Sequence, residues 1–104
     1  MRKITKDAIS AFMNHLPFYR DNTSCDGTRL SLFGNVIAEW RPGSELWITT
    51  AGYPTMTTKE RLKALPGVNV WTSNHQLYLQ IGDYNYGSCR NKAQPWDGSW
   101  VRVI

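Results

Sequence analysis

The spacing of apolar residues near the N-terminus predicts a helix. Apolar side chains recur there at intervals of three and four residues, which places them on one helical face. This stripe consists of Ile9, Phe12, Met13 and Leu16. It predicts a helix over 6–16 that is capped by Thr5 and whose Phe12 belongs to the core. Pro17 ends the helix, because the residue before a proline avoids helical backbone angles.

A second, shorter helix is predicted in the middle of the chain, over 58–65. Thr57 and Glu60 have the spacing of a capping box, in which each side chain bonds to the backbone of the other. Leu62 and Leu65 would face the core, and the Pro-Gly pair that follows would end the helix.

Elsewhere the apolar period is two, which predicts β-strands. The strand candidates are 23–25, 28–33, 36–41, 45–50, 68–72, 76–81 and 100–103. Short turn signals such as Asp26-Gly27, Gly34-Asn35 and Asp97-Gly98 separate strands, and connections this short cannot make parallel crossovers. The predicted fold class is therefore α+β. We expect a single domain over 1–104, with a meandering antiparallel β-sheet packed by one N-terminal helix and one short middle helix.

In these strands the positions that alternate with the apolar residues, termed the second phase, carry large aromatic rings. A strand with one face in solvent would carry polar residues there. The residues in this phase are Trp47, Trp71, Tyr78, Trp100, Arg41 and Arg102. One interpretation is that helices cover this face and the rings are ordinary core. The other is that rings and guanidinium groups form a platform for stacked bases or for a protein surface.

Two further segments combine cations with positions that suit contact with a partner. The middle helix carries Lys59, Arg61 and Lys63, for which a solvated helix face is the ordinary interpretation. The polar loop 82–95 is longer than the usual hairpin connection, and long loops in small domains are often functional. Its aromatic and basic residues are Tyr84, Tyr86, Arg90 and Lys92. Rings beside cations suit nucleic acid and protein hot spots alike.

The overall charge favours an acidic partner. The chain has 12 Lys and Arg residues against 8 Asp and Glu, and its formal net charge of +4 favours nucleic acid above other partners. Its apolar content of 41% indicates a globular domain rather than disorder. No stretch approaches the roughly 20 apolar residues of a membrane span. The basic N-terminus continues into Asp7 and an amphipathic pattern, unlike a signal peptide. We therefore expect an intracellular protein without a membrane partner.

The sequence contains no arrangement that is typical of catalysis or metal binding. His15 ends the predicted first helix, and Cys25 and Cys89 lack metal-type neighbours. In a reducing compartment both thiols are expected to be free, whereas export would allow a disulfide between them. Asp83 and Asp97 could form an acid pair, but a turn explains Asp97 better. We expect a non-enzymatic protein with no cofactor and no metal.

Several runs of the sequence resemble a family of small tailed-bacteriophage proteins of unassigned function. These runs are LFGNVIA at 32–38, WITTAGYPT at 47–55, TTKERL at 57–62, LPGV at 65–68 and WDG at 96–98. The chain departs from the family pattern after Leu79, where the loop 82–95 replaces a short Asn-Gly turn. The resemblance implies a phage origin and an accessory role in the host cell, and it supplies no catalytic residues.

Two function classes remain open at this point. The first is a protein of the host cytoplasm that binds nucleic acid through the aromatic–basic surface. The second is a protein-binding inhibitor of a host defence machine of the restriction or CRISPR type, and a structural role in the virion is a third. Affinity that falls steeply with salt would indicate phosphate contacts, whereas a hydrophobic interface responds little. The sequence leaves the oligomeric state open.

Overall fold

The α+β class is confirmed by the computed structural model, which describes residues 2–82 and 93–104. The predictions for Asp83, Tyr84, Tyr86, Cys89, Arg90 and Lys92 lie outside the described residues. The elements are α1 (Lys3–Met13), β1 (Pro17–Arg20), β2 (Thr23–Asp26), β3 (Arg29–Leu32), β4 (Asn35–Arg41), β5 (Glu45–Ile48), α2 (Met56–Lys63), β6 (Val68–Ser73), β7 (Gln76–Ile81), β8 (Gln94–Pro95) and β9 (Val101–Arg102).

The strands form two antiparallel sheets instead of one continuous meander. The larger sheet has the order β1-β2-β3-β4-β5-β9, and the smaller has the order β6-β7-β8. The chain leaves the larger sheet after β5, forms α2 and the smaller sheet, and returns when β9 pairs with β5. Because this pairing joins distant segments, no local turn signal announces it.

The N-terminal helix begins and ends earlier than its apolar stripe predicts. Its N-cap is Arg2, so Thr5 is a buried residue inside the helix and the predicted Thr5 cap is wrong. Leu16 lies beyond the helix and is 55% exposed. His15 also lies beyond the helix, with a positive φ of 56°. The predicted core residue Phe12 is fully buried, as expected.

The hairpin between β3 and β4 turns at Phe33-Gly34, one residue earlier than the predicted Gly34-Asn35 turn. Both turn residues have positive φ, 52° and 81°, as a two-residue hairpin turn of type I′ requires. A bulky side chain is strained in this backbone region, and the Phe33 side chain at this turn is exposed.

The cap of α2 also differs from the prediction. The helix begins at Met56, and the hydroxyl of Thr55 accepts a hydrogen bond from the backbone N–H of Thr58 at 3.2 Å. The predicted capping box of Thr57 and Glu60 is therefore wrong. The Glu60 carboxylate instead bonds to the side chains of Arg2, Thr5 and Arg61.

Replacement of the observed N-cap should weaken the fold. Thr55→Ala removes the acceptor of the Thr58 N–H and should lower the free energy of unfolding by about 1 kcal/mol. Thr57→Ala is the matched control, and its effect should stay within about 0.5 kcal/mol. Urea denaturation measures both variants. A larger loss for Thr57→Ala than for Thr55→Ala would restore the capping box.

One cluster of buried side chains joins both helices and both sheets. The segment after β8 connects the sheets directly, since the Trp96 N–H donates to the Leu77 carbonyl at 3.0 Å and the Thr50 N–H donates to the Gly98 carbonyl at 2.9 Å. A Cβ on Gly98 would lie 2.2 Å from the Thr50 hydroxyl, so only glycine fits there. Asp97 accepts from the Ser99 N–H at 2.9 Å within this connection, and the predicted Asp97-Gly98 hairpin turn is wrong.

Candidate functional site

The described members of the predicted site lie in two places. Arg41, Trp47, Trp100 and Arg102 share one face of the larger sheet, together with Arg29, Glu39 and Glu45, and these seven residues are termed the sheet face. Lys59, Lys63 and Trp71 line a groove between α2 and β6, and Tyr78 contacts Trp71. The described residues that line this α2 groove are Arg2, Met56, Thr57, Lys59, Glu60, Lys63, Val70, Trp71 and Thr72.

Strand alternation explains the sheet face. In β5, Leu46 and Ile48 are fully buried, whereas Trp47 between them points to the opposite side and is half-buried. Trp47 pairs with Arg102 of β9, which is exposed. Trp100 is 39% exposed. The rings of this face are therefore partly open to solvent and do not form a second buried core.

A guanidinium group lies against the two rings of the sheet face. The Arg41 guanidinium is 4.1 Å from the ring centroid of Trp47 and 5.2 Å from that of Trp100. Both distances are within the range of cation–π contacts. Arg41 therefore occupies ring surface that a stacked base would need.

The cations of the sheet face have carboxylate partners. Glu39 pairs with Arg41 at 3.2 Å and with Arg29 at 3.7 Å, and Glu45 pairs with Arg102 at 3.5 Å. Three guanidinium groups and two carboxylates leave a formal charge of +1. This face offers little unpaired charge to a phosphate backbone.

The α2 groove presents cations beside an aromatic ring. Its volume is about 760 Å³. Lys59 donates to the Thr72 hydroxyl at 2.9 Å, and Lys63 lies one helical turn further along the same face of α2. Trp71 is half-buried and stacks on Tyr78, with 5.8 Å between ring centroids and 17° between ring planes.

Among the described residues that line the groove there is one carboxylate, and it is already engaged. Glu60 accepts hydrogen bonds from Arg2 at 3.1 Å, from Arg61 at 2.8 Å and from the Thr5 hydroxyl. These partners, the Thr5 hydroxyl first, lower the pKa of Glu60. The stability that Glu60 contributes is complete above the ordinary glutamate pKa and is lost as pH falls through the lowered folded-state pKa. Lys59 and Lys63 have no carboxylate partner within residues 2–82 and 93–104.

Arg61 is the residue that the sequence interpretation placed wrongly. It was expected on a solvated helix face, yet it is fully buried. Its guanidinium donates to the Thr23 hydroxyl at 3.2 Å and to the Thr5 hydroxyl at 2.5 Å, and burial lowers its pKa. It therefore joins α2 to α1 and β2 and holds Glu60 against the groove.

A signal for the burial of Arg61 was present in the sequence. Thr58, Arg61, Leu62 and Leu65 stand at the i, i+3, i+4 and i+7 positions of one helical face. All four are buried. No sequence pattern predicts that Arg2 lies at the groove, because the packing of α1 against the rest of the fold brings it there.

The thiol of Cys25 is free and buried, and it donates to the Leu16 carbonyl at 2.9 Å. Over the described ranges, no cluster of side chains has the composition of a metal site. None of the helices described is both long and apolar enough to cross a membrane.

Comparison with known protein families gives a match along nearly the whole chain. The family model described as Kyanoviridae Gp96 protein matches residues 1–102. Neither a curated protein nor a solved structure matches the chain.

Proposed function

Since the chain belongs to the Kyanoviridae Gp96 family, a phage protein family of unassigned function, we propose that it is a non-enzymatic accessory protein that binds nucleic acid in the host cytoplasm. The family match confirms the resemblance to small tailed-phage proteins. The binding site in this proposal is the α2 groove. The observation that carries the proposal is a pair of cations without a carboxylate partner among the described residues, Lys59 and Lys63, beside the Trp71 ring.

The charge of the groove suits a phosphate backbone. Glu60 already bonds to Arg2 and Arg61, so it does not neutralise the two lysines. Lysine ammonium groups act as point charges towards phosphate and tolerate variation in the path of the strand. Contacts of this kind give affinity without sequence preference.

The ring beside these cations suits a base. Trp71 stacks on Tyr78 and lines the groove, so one part of its surface is supported by the sheet. Proteins that bind single strands combine a positively charged groove with aromatic side chains in this way. The sheet face fits this chemistry less well, because Arg41 lies over its rings and its cations are paired.

The sheet face supports a second candidate function, the protein-binding inhibitor of a host defence machine. Tryptophan and arginine dominate hot spots of protein interfaces. Trp47, Trp100 and Arg41 are already held together, so little side-chain freedom is lost when a partner covers them.

Removal of the groove lysines should weaken nucleic-acid binding and its salt dependence. With two phosphate contacts, from Lys59 and Lys63, the plot of log K against log salt should have a slope of about −1.4 for a single strand. Lys59→Ala/Lys63→Ala should bring that slope to about zero, because Arg2, the remaining groove cation, is paired with Glu60. Fluorescence anisotropy of labelled oligonucleotides over about 50–200 mM salt measures the effect.

A charge-matched control separates groove contacts from overall charge. Lys3→Ala/Arg20→Ala also removes two cations, both of which pair with Asp7 outside the groove. This control should keep the slope of the natural protein. Equal slopes for the two double variants, or no binding by the natural protein at low salt, would contradict the proposal. Loss of binding in Trp100→Ala alone would move the site to the sheet face.

A further inference from the structure

We infer that the nucleic acid is single-stranded and that one unpaired base enters a second pocket beside the α2 groove, an inference that rests on the proposed function. This base pocket has a volume of about 250 Å³. It lies against the hairpin turn of β3–β4, the segment after β5 and the start of α2. Its lining includes Phe33, Asn35, Thr50, Tyr53, Thr55 and Thr58.

The two rings of the base pocket are exposed to solvent. Phe33 is 72% exposed and Tyr53 is 58% exposed. Phe33 also sits in a left-handed backbone conformation, which costs free energy for a bulky side chain. Backbone strain of this kind clusters at binding sites, and exposed rings are surfaces for stacking.

The pocket offers polar groups as well as rings. Its aliphatic wall includes Leu32 and Ile37, and the Thr55 and Thr58 hydroxyls lie 3.0 Å apart at its edge. The side-chain amide of Asn35 lines the pocket and makes no hydrogen bond to another described residue. An amide of this type can bond to two neighbouring atoms of a base edge. The volume corresponds to about eight water molecules, enough for one planar base.

The pocket and the groove share a wall. Thr55 and Thr58 line the pocket, whereas Met56 and Thr57, in the same turn of α2, line the groove. A strand whose phosphates contact Lys59 and Lys63 can therefore cross this turn and place its next base towards Phe33 and Tyr53. A third concavity, on the other side of Phe33, is lined by the exposed ring of Tyr19 and by Asp21.

This arrangement distinguishes single strands from duplexes. Bases in a duplex are stacked and paired, so a protein reaches a base face only when the base is already free or is flipped out at a cost. Exposed rings also suit an apolar anchor of a protein partner. The adjoining cations, whose only groove carboxylate is engaged, favour a polyanion instead.

The test compares a single-stranded oligonucleotide with a duplex of the same length. Phe33→Gly is the informative variant, because glycine adopts the positive φ of this turn without strain and the fold should not suffer. It should weaken single-strand binding by about 5- to 150-fold, the equivalent of one stacked base, and leave the salt slope unchanged. Tyr53→Ala should act in the same direction. Leu16→Ala, an exposed apolar residue outside both pockets, should bind as the natural protein does.

The outcomes separate this inference from the proposed function. If the natural protein binds single strand and duplex equally and Phe33→Gly is neutral, the inference fails and the groove proposal stands. That result would assign the rings to a protein partner. If the natural protein binds neither nucleic acid, the proposed function itself fails. A preference for single strands that disappears in Phe33→Gly supports both.

Discussion

Arg61→Ala is expected to lower the free energy of unfolding by about 3–5 kcal/mol, a large share of the total for a domain of this size. The fully buried guanidinium bonds to Thr5 of α1, Thr23 of β2 and Glu60 of its own helix. Its removal leaves buried hydroxyl groups without a donor and opens a cavity between three elements. Urea denaturation with a two-state fit gives the value.

Two further variants identify the cause of that loss. Arg61→Lys keeps the charge but cannot reach several acceptors with one planar fork, so it should remain clearly destabilised. Lys59→Ala removes a cation from the same helix at the groove surface and should change stability by no more than about 0.5 kcal/mol. A loss below about 1 kcal/mol for Arg61→Ala would show that the buried network does not hold the helices together.

Phe12→Ala is expected to cost about 3–5 kcal/mol, because it removes a fully buried ring from the core. The Phe12 ring stacks on Trp40 with 5.7 Å between centroids, and the Trp40 indole N–H donates to the Phe12 carbonyl at 3.1 Å. The change should therefore also alter Trp40 fluorescence. Thermal and urea denaturation measure the stability.

Leu16→Ala is the matched control for Phe12→Ala. Both residues belong to the apolar stripe of the sequence, but Leu16 lies outside the helix and is exposed. Its loss should change stability by no more than about 0.5 kcal/mol. Similar losses for the two variants would mean that the stripe packs along its whole length and that α1 extends further than Met13.

The sequence predicted the elements whose periodicity is strong. The alternation in β5, β6 and β7 correctly predicted that Leu46, Val70 and Leu79 are buried. It also correctly placed Trp47, Trp71 and Tyr78 on the opposite faces of these strands. It missed β1 and β8. β1 begins with Pro17 and has no alternating pattern, and β8 contains only two residues, one of them a proline.

Caps and buried polar residues were harder to predict, because distant partners decide them. Thr5 looks like a helix cap in the sequence, but its hydroxyl bonds to Glu60 and Arg61 of the other helix. Glu60 looks like half of a capping box, but Arg2 and Arg61 hold its carboxylate. Sequence rules for helix caps consider only residues a few positions apart. They therefore do not include contacts between distant segments.

The sequence indicated which types of residue form the candidate site, but it indicated only part of their arrangement in space. Lys59, Lys63 and Trp71 come together because α2 packs beside β6, which the sequence order alone does not specify. The second-phase rings were treated as one surface, whereas the two sheets place Trp47 and Trp71 in separate clusters. The sequence placed Phe33 at the end of the strand candidate 28–33, whereas the structure places it in the turn, and Tyr53 lay outside the strand candidates, so both rings were missed as site residues.

Binding of nucleic acid in the α2 groove can be followed directly by the NMR signals of the tryptophan indole N–H groups. The chain has 5 tryptophans, which give separate indole N–H peaks in a heteronuclear NMR spectrum and can be assigned by single Trp→Phe variants. On titration with a short single-stranded oligonucleotide, the Trp71 peak should shift most, and the Trp47 and Trp100 peaks should change little. Shifts at Trp47 and Trp100 with an unchanged Trp71 peak, or no shift at any indole, would contradict binding in the α2 groove.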